Sequence, residues 1–400
     1  MSRQIQDAYI VAAVRTPVGK APRGMFRNVR PDDMLAHVLR GVMAQVPGLD
    51  AHEIADVIVG CAMPEAEQGM NVARIGVLLA GLPDSVPAMT INRFCSSGVQ
   101  AVALAADRIR TGDDDVVIAA GTESMSMVPM MGNRIALNSA VFQGNEHVAI
   151  AYGMGITAEN VAKQWKVSRE DQDAFAVASH QKAAQAIATG GFKEEILPYG
   201  IETASPDLAS GQVVRRTRMA DTDEGPRADS TTESLAKLRT VFAAKGTVTA
   251  GNSSQMSDGA AAVVLMSEAA MKRHGLTPLA RFVGYAVAGV PPEIMGIGPI
   301  KAIPKVLSQS GIRADQLDWI ELNEAFAAQA LAVIRELGLD PSKVNPQGGA
   351  IALGHPLGAT GAIRAATLVH GLRRTRGRYG MVTMCIGTGM GAAGLFEALH

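Results

Sequence analysis

Residues 87–112, PAMTINRFCSSGVQAVALAADRIRTG, decide how the rest of the chain is read. Pro87 to Ile91 is an apolar, strand-like run; Asn92-Arg93-Phe94 turns it abruptly and delivers Cys95 to the start of a small-residue helix. Val99, Val102, Ala106 and Ile109 recur at helical spacing, and Gly112 ends the stripe. A cysteine at that point meets N–H groups without intrahelical partners, and the positive end of the helix dipole favours its thiolate. Ser96, Ser97 and Gly98 are small enough to let a substrate approach the backbone. A lone cysteine is commonly just a small core hydrophobe, so Cys95 by itself supports either reading. The remainder of the chain decides between them.

A length of 400 residues exceeds one ordinary domain and implies two or three, with ample core. A formal charge of −1 argues against a nucleic-acid or anionic-membrane partner. The three cysteines, Cys61, Cys95 and Cys385, show no CxxC spacing, so neither a disulfide framework nor a bound metal is expected, and a reducing cytoplasm fits. MSRQIQDA runs directly into strand-like YIVAAV, without the apolar core of a secretory leader. No stretch has the length to span a bilayer, so no membrane insertion is expected.

In chain order, one unit is written twice. Tyr9–Val14 reads as a strand, Pro31 to about Gln45 as a helix, Ile54–Cys61 as a strand, Asn71–Leu82 as a helix and Ala88–Ile91 as a strand. The Cys95 helix and the strand Val116–Gly121 follow. After residue 275 the order recurs: strand Leu279–Val287, helix Pro299–Gln309, strand Leu317–Leu322, helix Asn323–Leu337 and short strand Lys343–Asn345. A helix from Gly361 to Arg373, strand Tyr379–Cys385 and strand Gly394–Leu399 complete it. His355 and Cys95 therefore occupy equivalent places in two copies of a βαβαβαββ unit. The first copy, residues 1–124, is closed only by Gly259–Met266 within 253–275; 125–252 is an insertion, and 276–400 is the second copy. Within the insertion, Thr157-Ala158-Glu159 and Ser168-x-x-Asp171 mark helix starts, and a further helix is expected over Ser230–Phe242. The run Arg215-Arg216-Thr217-Arg218 reads as a solvated face or, less commonly, a phosphate contact.

Four short motifs stand together: Cys95-Ser96-Ser97, Asn323-Glu324-Ala325-Phe326, Gly354-His355-Pro356 and Cys385-Ile386-Gly387. In this order, across both copies, they resemble the thiolases, coenzyme A-dependent enzymes that make or break a carbon–carbon bond between acyl thioesters. The resemblance extends through PVG at 17–19, GTESMSM at 121–127, TAENVAKQW at 157–165, GTVTAGNSSQMSDGAAA at 246–262 and GGAIALGHPLGATGA at 348–362. It implies an α/β thiolase-like fold with duplicated halves layered α/β/α/β/α, and an inserted loop domain that binds CoA. It also implies thiolysis of 3-ketoacyl-CoA in fatty-acid β-oxidation, CoA acting as co-substrate with no tightly bound cofactor, and a homodimer or homotetramer. The alternative within the family is an acetoacetyl-CoA-specific acetyltransferase. NRFCSSG and the short stretch from Pro129 to Thr157 favour the degradative type.

The chemistry needs a nucleophile that accepts an acyl group and releases it to another thiol, for which cysteine suits better than serine. A free thiol with a pKa of about 8.5 needs a base, and only His355 is set in a Gly/Pro-fixed turn; His37, His52, His180, His274 and His370 read as ordinary helix or surface residues. The resemblance assigns carbon protonation to Cys385. It places one oxyanion site at the N–H groups of Cys95 and Gly387, and a second at His355 with a water held by Asn323. Asn323 also reads as the N-cap of its helix. Matching positions for CoA are Arg227, Ser234 and Ser254, with Met154, Met295 and Phe326 near the pantetheine and acyl end. Thr388 stands where some members carry a third consecutive glycine, a departure expected to alter the backbone there.

Three rival readings fit the sequence less well. Gly389-Met390-Gly391-Ala392-Ala393-Gly394 matches a dinucleotide fingerprint, yet too little chain follows for its helix and acidic residue. A condensing ketoacyl synthase calls for a different His/Asn set. A non-catalytic acyl-CoA or lipid-binding relative is opposed by retention of all four motifs.

Overall fold

Strands rich in Val, Ile and Ala have no polar face to show to water, so they are stable only when both sides are covered. The computed structural model, which describes residues 5–145 and 147–400, covers them on both sides. The first half comprises β1 (Ala8–Arg15), β2 (Gly19–Lys20), α1 (Pro31–Ala44), β3 (Asp56–Gly60), α2 (Val72–Leu79), β4 (Ala88–Ile91), α3 (Ser97–Arg110) and β5 (Val116–Ser124). Next come α4 (Met154–Gln164), α5 (Arg169–Ala188), β6 (Tyr199–Asp207), β7 (Gln212–Ala220) and α6 (Thr232–Ala236). Strand β8 (Ser257–Ser267) and α7 (Glu268–Arg273) lead to β9 (Ala280–Gly289), α8 (Gly298–Ser310), β10 (Leu317–Leu322) and α9 (Ala327–Leu337). The chain ends with α10 (Ala350–Leu353), α11 (Leu357–Thr375), β11 (Tyr379–Ile386) and β12 (Met390–Ala398).

The duplication is visible in the strand pairing. β3 lies parallel to β4 and β5, and β8 is antiparallel to both β5 and β1. In the second half β10 lies parallel to β11 and to a single bridge at Val344, and β12 is antiparallel to both β11 and β9. The halves join where β1 meets β9, with Ala8 opposite Phe282 and Ile10 opposite Ala280.

Period-two alternation divides the core into layers. Ile58, Val117, Ala119, Val263, Leu265, Val382, Met384 and Phe396 face inward onto α3 and α11. Their neighbours Val57, Val59, Val116, Ile118, Val264 and Met266 face outward onto α1 and α2, and Ile320, Leu322, Met381 and Leu395 pack with residues of α8 and α9. The two halves of one ten-stranded sheet, joined at β1 and β9, thus stack with the helices as helix, sheet, helix, sheet, helix. The two middle helices touch backbone to backbone: a Cβ at Gly98 would enter the backbone of Ala362, and one at Gly361 that of Val99.

Several element boundaries depart from the sequence expectation, each for a tertiary reason. The helix expected from Asn323 begins at Ala327. Residues before it stay extended because Asn323 N–H bonds Thr383 O, Phe326 bridges Ser253 and Ala327 N–H bonds Asn252 O. Asn323 is therefore not an N-cap. The helix expected over 230–242 shrinks to α6, since Thr240 and Val241 instead pair with Thr249 and Val248. Ser168 caps α5 by accepting Asp171 N–H, as its spacing implied, whereas α4 starts at Met154 and Thr157 lies within its first turn. The helix expected from Gly361 begins at Leu357. The basic run lies on an exposed two-stranded ribbon, β6 with β7, in which Arg215, Arg216 and Arg218 are open to solvent.

The insertion is anchored by a buried ion cluster. Arg15, at the end of β1, donates to Glu195 at 2.6 Å and to both oxygens of Asp223 at 2.7 and 2.9 Å.

Candidate active site

Cys95 lies in a tight 3₁₀ turn, Phe94–Ser96, just ahead of α3, rather than in the first turn of the α-helix itself. Local hydrogen bonds build that turn. Phe94 N–H donates to Asn92 Oδ1, Arg93 N–H to Ser97 Oγ, and Ser97 Oγ in turn to Phe94 O. Phe94 takes a left-handed φ of +44°, a strained state that side chains adopt when surroundings enforce it. The result is a thiol that is 7 % exposed, where Cys61 and Cys385 are wholly buried.

His355 arrives from the other copy, on the connection between α10 and α11. Gly354 has φ +94°, and its missing Cβ leaves room for Ser257 Oγ, which accepts His355 N–H at 3.1 Å. The imidazole is fixed at both nitrogens: Thr360 Oγ1 lies 2.6 Å from Nδ1, and Asn323 Nδ2 lies 3.3 Å from Nε2. With Asn323 N–H donating to Nε2, Nδ1 carries the proton and donates to Thr360. The Asn323 backbone carbonyl accepts from Gln329 Nε2, while the buried side-chain Oδ1 has no partner. Thr360, in the first turn of α11, was not singled out from the sequence; its signal was the i, i+5 position from His355 within GHPLGAT.

Burial sets the resting charges. It pushes the Cys95 thiol up to about 11, although the N–H groups of Gly387 and of Cys95 itself work against it. It presses His355 down to about 3, helped by the nearby Arg364 cation. Cys385, at the end of β11, is raised well above the thiol range by burial and by the neighbouring Cys95. The site at rest is thus thiol, thiol and neutral imidazole, without the standing thiolate expected from the helix dipole. Thr388 takes φ +65°, the conformation a glycine adopts freely, and Gly387 N–H still favours the Cys95 thiolate.

A buried carboxylate not recognised in the sequence ties the two copies together. Glu123, in GTESMSM, accepts N–H groups from Ala62, Met63 and Gly358 and the amide of Gln68. It thereby pins the first turn of α11, two residues past Pro356, to the loop after β3. Glu324 does the same for the second copy, accepting from Ser179, Asn345 and Ile351.

Arg227 and Ser234 line a cavity of about 340 Å³ between the insertion and the second half, together with His180, Leu235, Leu238, Gln255 and Ile351. Ser234 also closes a capping box with Thr231. The wall includes Gln255 but not Ser254, whose N–H bonds Ala325 O. Met154, Met295 and Phe326 pack elsewhere, with Cys385, Ala158 and Val248. His180, read as an ordinary helix residue, is buried at 5 % exposure on the cavity wall; His370 is also buried. Residues Gly389–Gly394 turn into strand β12, antiparallel to β11 and β9, instead of opening a helix, which removes the dinucleotide reading. Among the described residues no cluster of three His, Cys, Asp or Glu could hold a metal ion, and no helix is long and apolar enough to cross a membrane.

The chain is similar over its whole length to known proteins. Residues 8–269 match the model of the thiolase N-terminal domain, and residues 276–398 that of the thiolase C-terminal domain. The chain is 51 % identical over 394 residues to the 3-ketoacyl-CoA thiolase of Bacillus subtilis, covering 98 % of this chain and 100 % of the relative. It is 45 % identical to the beta-ketoadipyl-CoA thiolase of Pseudomonas aeruginosa, covering 98 % of each. The crystal structure of the Bacillus anthracis acetyl-CoA acetyltransferase superposes with a TM-score of 0.89 at 41 % identity, covering 100 % of both chains.

Proposed function

The chain belongs to the thiolase family, and from that premise we propose that it cleaves 3-ketoacyl-CoA to acetyl-CoA and a shortened acyl-CoA through an acyl-thioester on Cys95. It is an acyltransferase of fatty-acid β-oxidation that uses CoA as co-substrate. The observation that carries the site assignment is the buried His355 imidazole held between Asn323 and Thr360, the base that the Cys95 thiol requires.

The steps follow from the resting charges. With Cys95 protonated and His355 neutral, the proton leaves sulfur as the sulfur–carbon bond forms, passing to Nε2, whose 3.3 Å contact with Asn323 is long enough to yield. The ketone oxygen becomes an oxyanion that the N–H groups of Cys95 and Gly387 receive. The carbon–carbon bond then breaks, and Cys385 gives its proton to the departing carbon. The thioester enolate oxygen is held by His355 and by a water on the unpartnered Asn323 Oδ1. His355 returns its proton to the Cys385 thiolate; neutral again, it takes the proton of the CoA thiol as that sulfur attacks the Cys95 thioester, and passes it to the Cys95 sulfur as that leaves. The insertion over 125–252 is read as the domain that holds CoA, supported by the cavity at Arg227 and Ser234.

A homodimer or homotetramer is supported by β4, whose outer edge pairs with no other strand among the described residues, and by exposed Met70, Leu78 and Leu79 nearby in sequence. Three free cysteines suit a reducing compartment such as the cytoplasm. The likeness to the Bacillus anthracis enzyme favours a second reading, an acetyl-CoA acetyltransferase. Loss of the 3-ketoacyl-CoA enolate absorbance on adding CoA tests the activity, and kcat/KM across a chain-length series separates the readings. Turnover confined to acetoacetyl-CoA would select the second, and no turnover with any 3-ketoacyl-CoA would reject both.

A further inference from the structure

His180 is an unusual residue to find on the wall of the CoA cavity. It lies on α5, only 5 % exposed, and its Nδ1 accepts the backbone N–H of Arg227 at 3.1 Å. That bond fixes the tautomer, because a nitrogen that accepts carries no proton; the hydrogen sits on Nε2. Nε2 has no partner among the described residues, and the ring lines the cavity. Burial and the nearby Arg227 and Lys20 cations keep the ring neutral, against Asp229. The cavity therefore has two chemically distinct parts. Arg227 is exposed and cationic, suited to phosphate. His180 offers one neutral donor beside Leu235, Leu238, Ala250 and Ile351, a lining suited to a flat ring with a hydrogen-bond acceptor on its edge.

Resting on the reading of this cavity as the CoA site, we propose that His180 is a specificity-determining residue whose Nε2–H donates to an acceptor on the adenosine moiety of CoA. It would thus select CoA over thiols that end at the pantetheine phosphate, while its Nδ1 holds the Arg227 backbone in place.

The two functions of the ring are separable. Asparagine can reproduce the Nδ1 acceptor without the Nε2 donor, and glutamine can place an amide N–H near Nε2. The measurement is the ratio of KM for CoA to KM for 4′-phosphopantetheine. For His180→Asn the ratio is expected to rise roughly three- to tenfold, the loss of one neutral hydrogen bond, and His180→Gln should recover most of it. An unchanged ratio in His180→Asn overturns the proposal, as does a fall in kcat with both thiols and no change in the ratio. Arg227→Ala tells the two levels apart. A raised ratio there with none in His180→Asn removes His180 and keeps the CoA site, whereas no change in either removes both.

Discussion

At the scale of the residue, two thiols near enough for one to raise the other have different work. Acyl transfer onto Cys95 from a simple thioester involves no carbon–proton chemistry, whereas condensation needs a proton taken from the methyl of acetyl-CoA, a weak carbon acid. Cys385→Ala should therefore still gain an acetyl mass on Cys95 from acetyl-CoA, yet fail to exchange the acetyl methyl protons in deuterated water. Wild-type exchange in that variant would assign the carbon base elsewhere. The resting state of Cys95 has its own signature. With the thiol pushed up to about 11, only the rising thiolate fraction reacts with iodoacetamide. Inactivation should then accelerate about tenfold per pH unit from roughly pH 7 to 9 without levelling, with the adduct on Cys95. A plateau near neutrality would mean a preformed thiolate–imidazolium pair.

At the scale of the element, Cys95 and His355 sit in turns just ahead of α3 and α11, whose backbones touch through Gly98 and Gly361. Separating those helices moves nucleophile and base apart. Gly361→Ala, which puts a methyl against the Val99 backbone, should cost about 1–3 kcal/mol of stability from overpacking and lower kcat more than it raises KM. Urea unfolding and steady-state kinetics check both, and an unaffected kcat in a destabilised protein would detach this contact from catalysis. The duplicated strands and the Cys95 and His355 turns were legible because buried alternation and Gly/Pro punctuation are local signals. What escaped was set by partners distant in sequence. Asn323 looked like a cap, but pairing with Thr383 and Asn252 holds its segment extended. Glu123 and His180 carried no local mark of their burial, since their partners lie on other elements. The ribbon of β6 and β7 was read only as charge, because alternation on an exposed ribbon has no apolar face to reveal it.

At the scale of the whole molecule, folding places a histidine and several carboxylates where water does not reach, so stability depends on pH through opposing groups. His355, with a folded value of about 3 against about 6.5 unfolded, stays neutral in both states above pH 6.5. Below that, the unfolded chain takes a proton that the folded one refuses, and stability falls with pH until about pH 3. Glu321 runs the other way. Burial raises it to about 7, so between there and about 4.5 the folded state takes the proton first and its burial cost is relieved as pH falls. The wild-type profile sums these opposing slopes, and a single substitution isolates one of them. His355→Gln removes the imidazole and keeps a polar group of similar reach. The difference in unfolding free energy, wild type minus variant, should be flat above about pH 7 and should drop by about 1.4 kcal/mol per pH unit between about pH 6 and pH 4. Denaturant unfolding of both proteins across that range measures it. A difference that stays constant would mean that folded His355 protonates as readily as the unfolded residue, and the neutral resting site would be wrong.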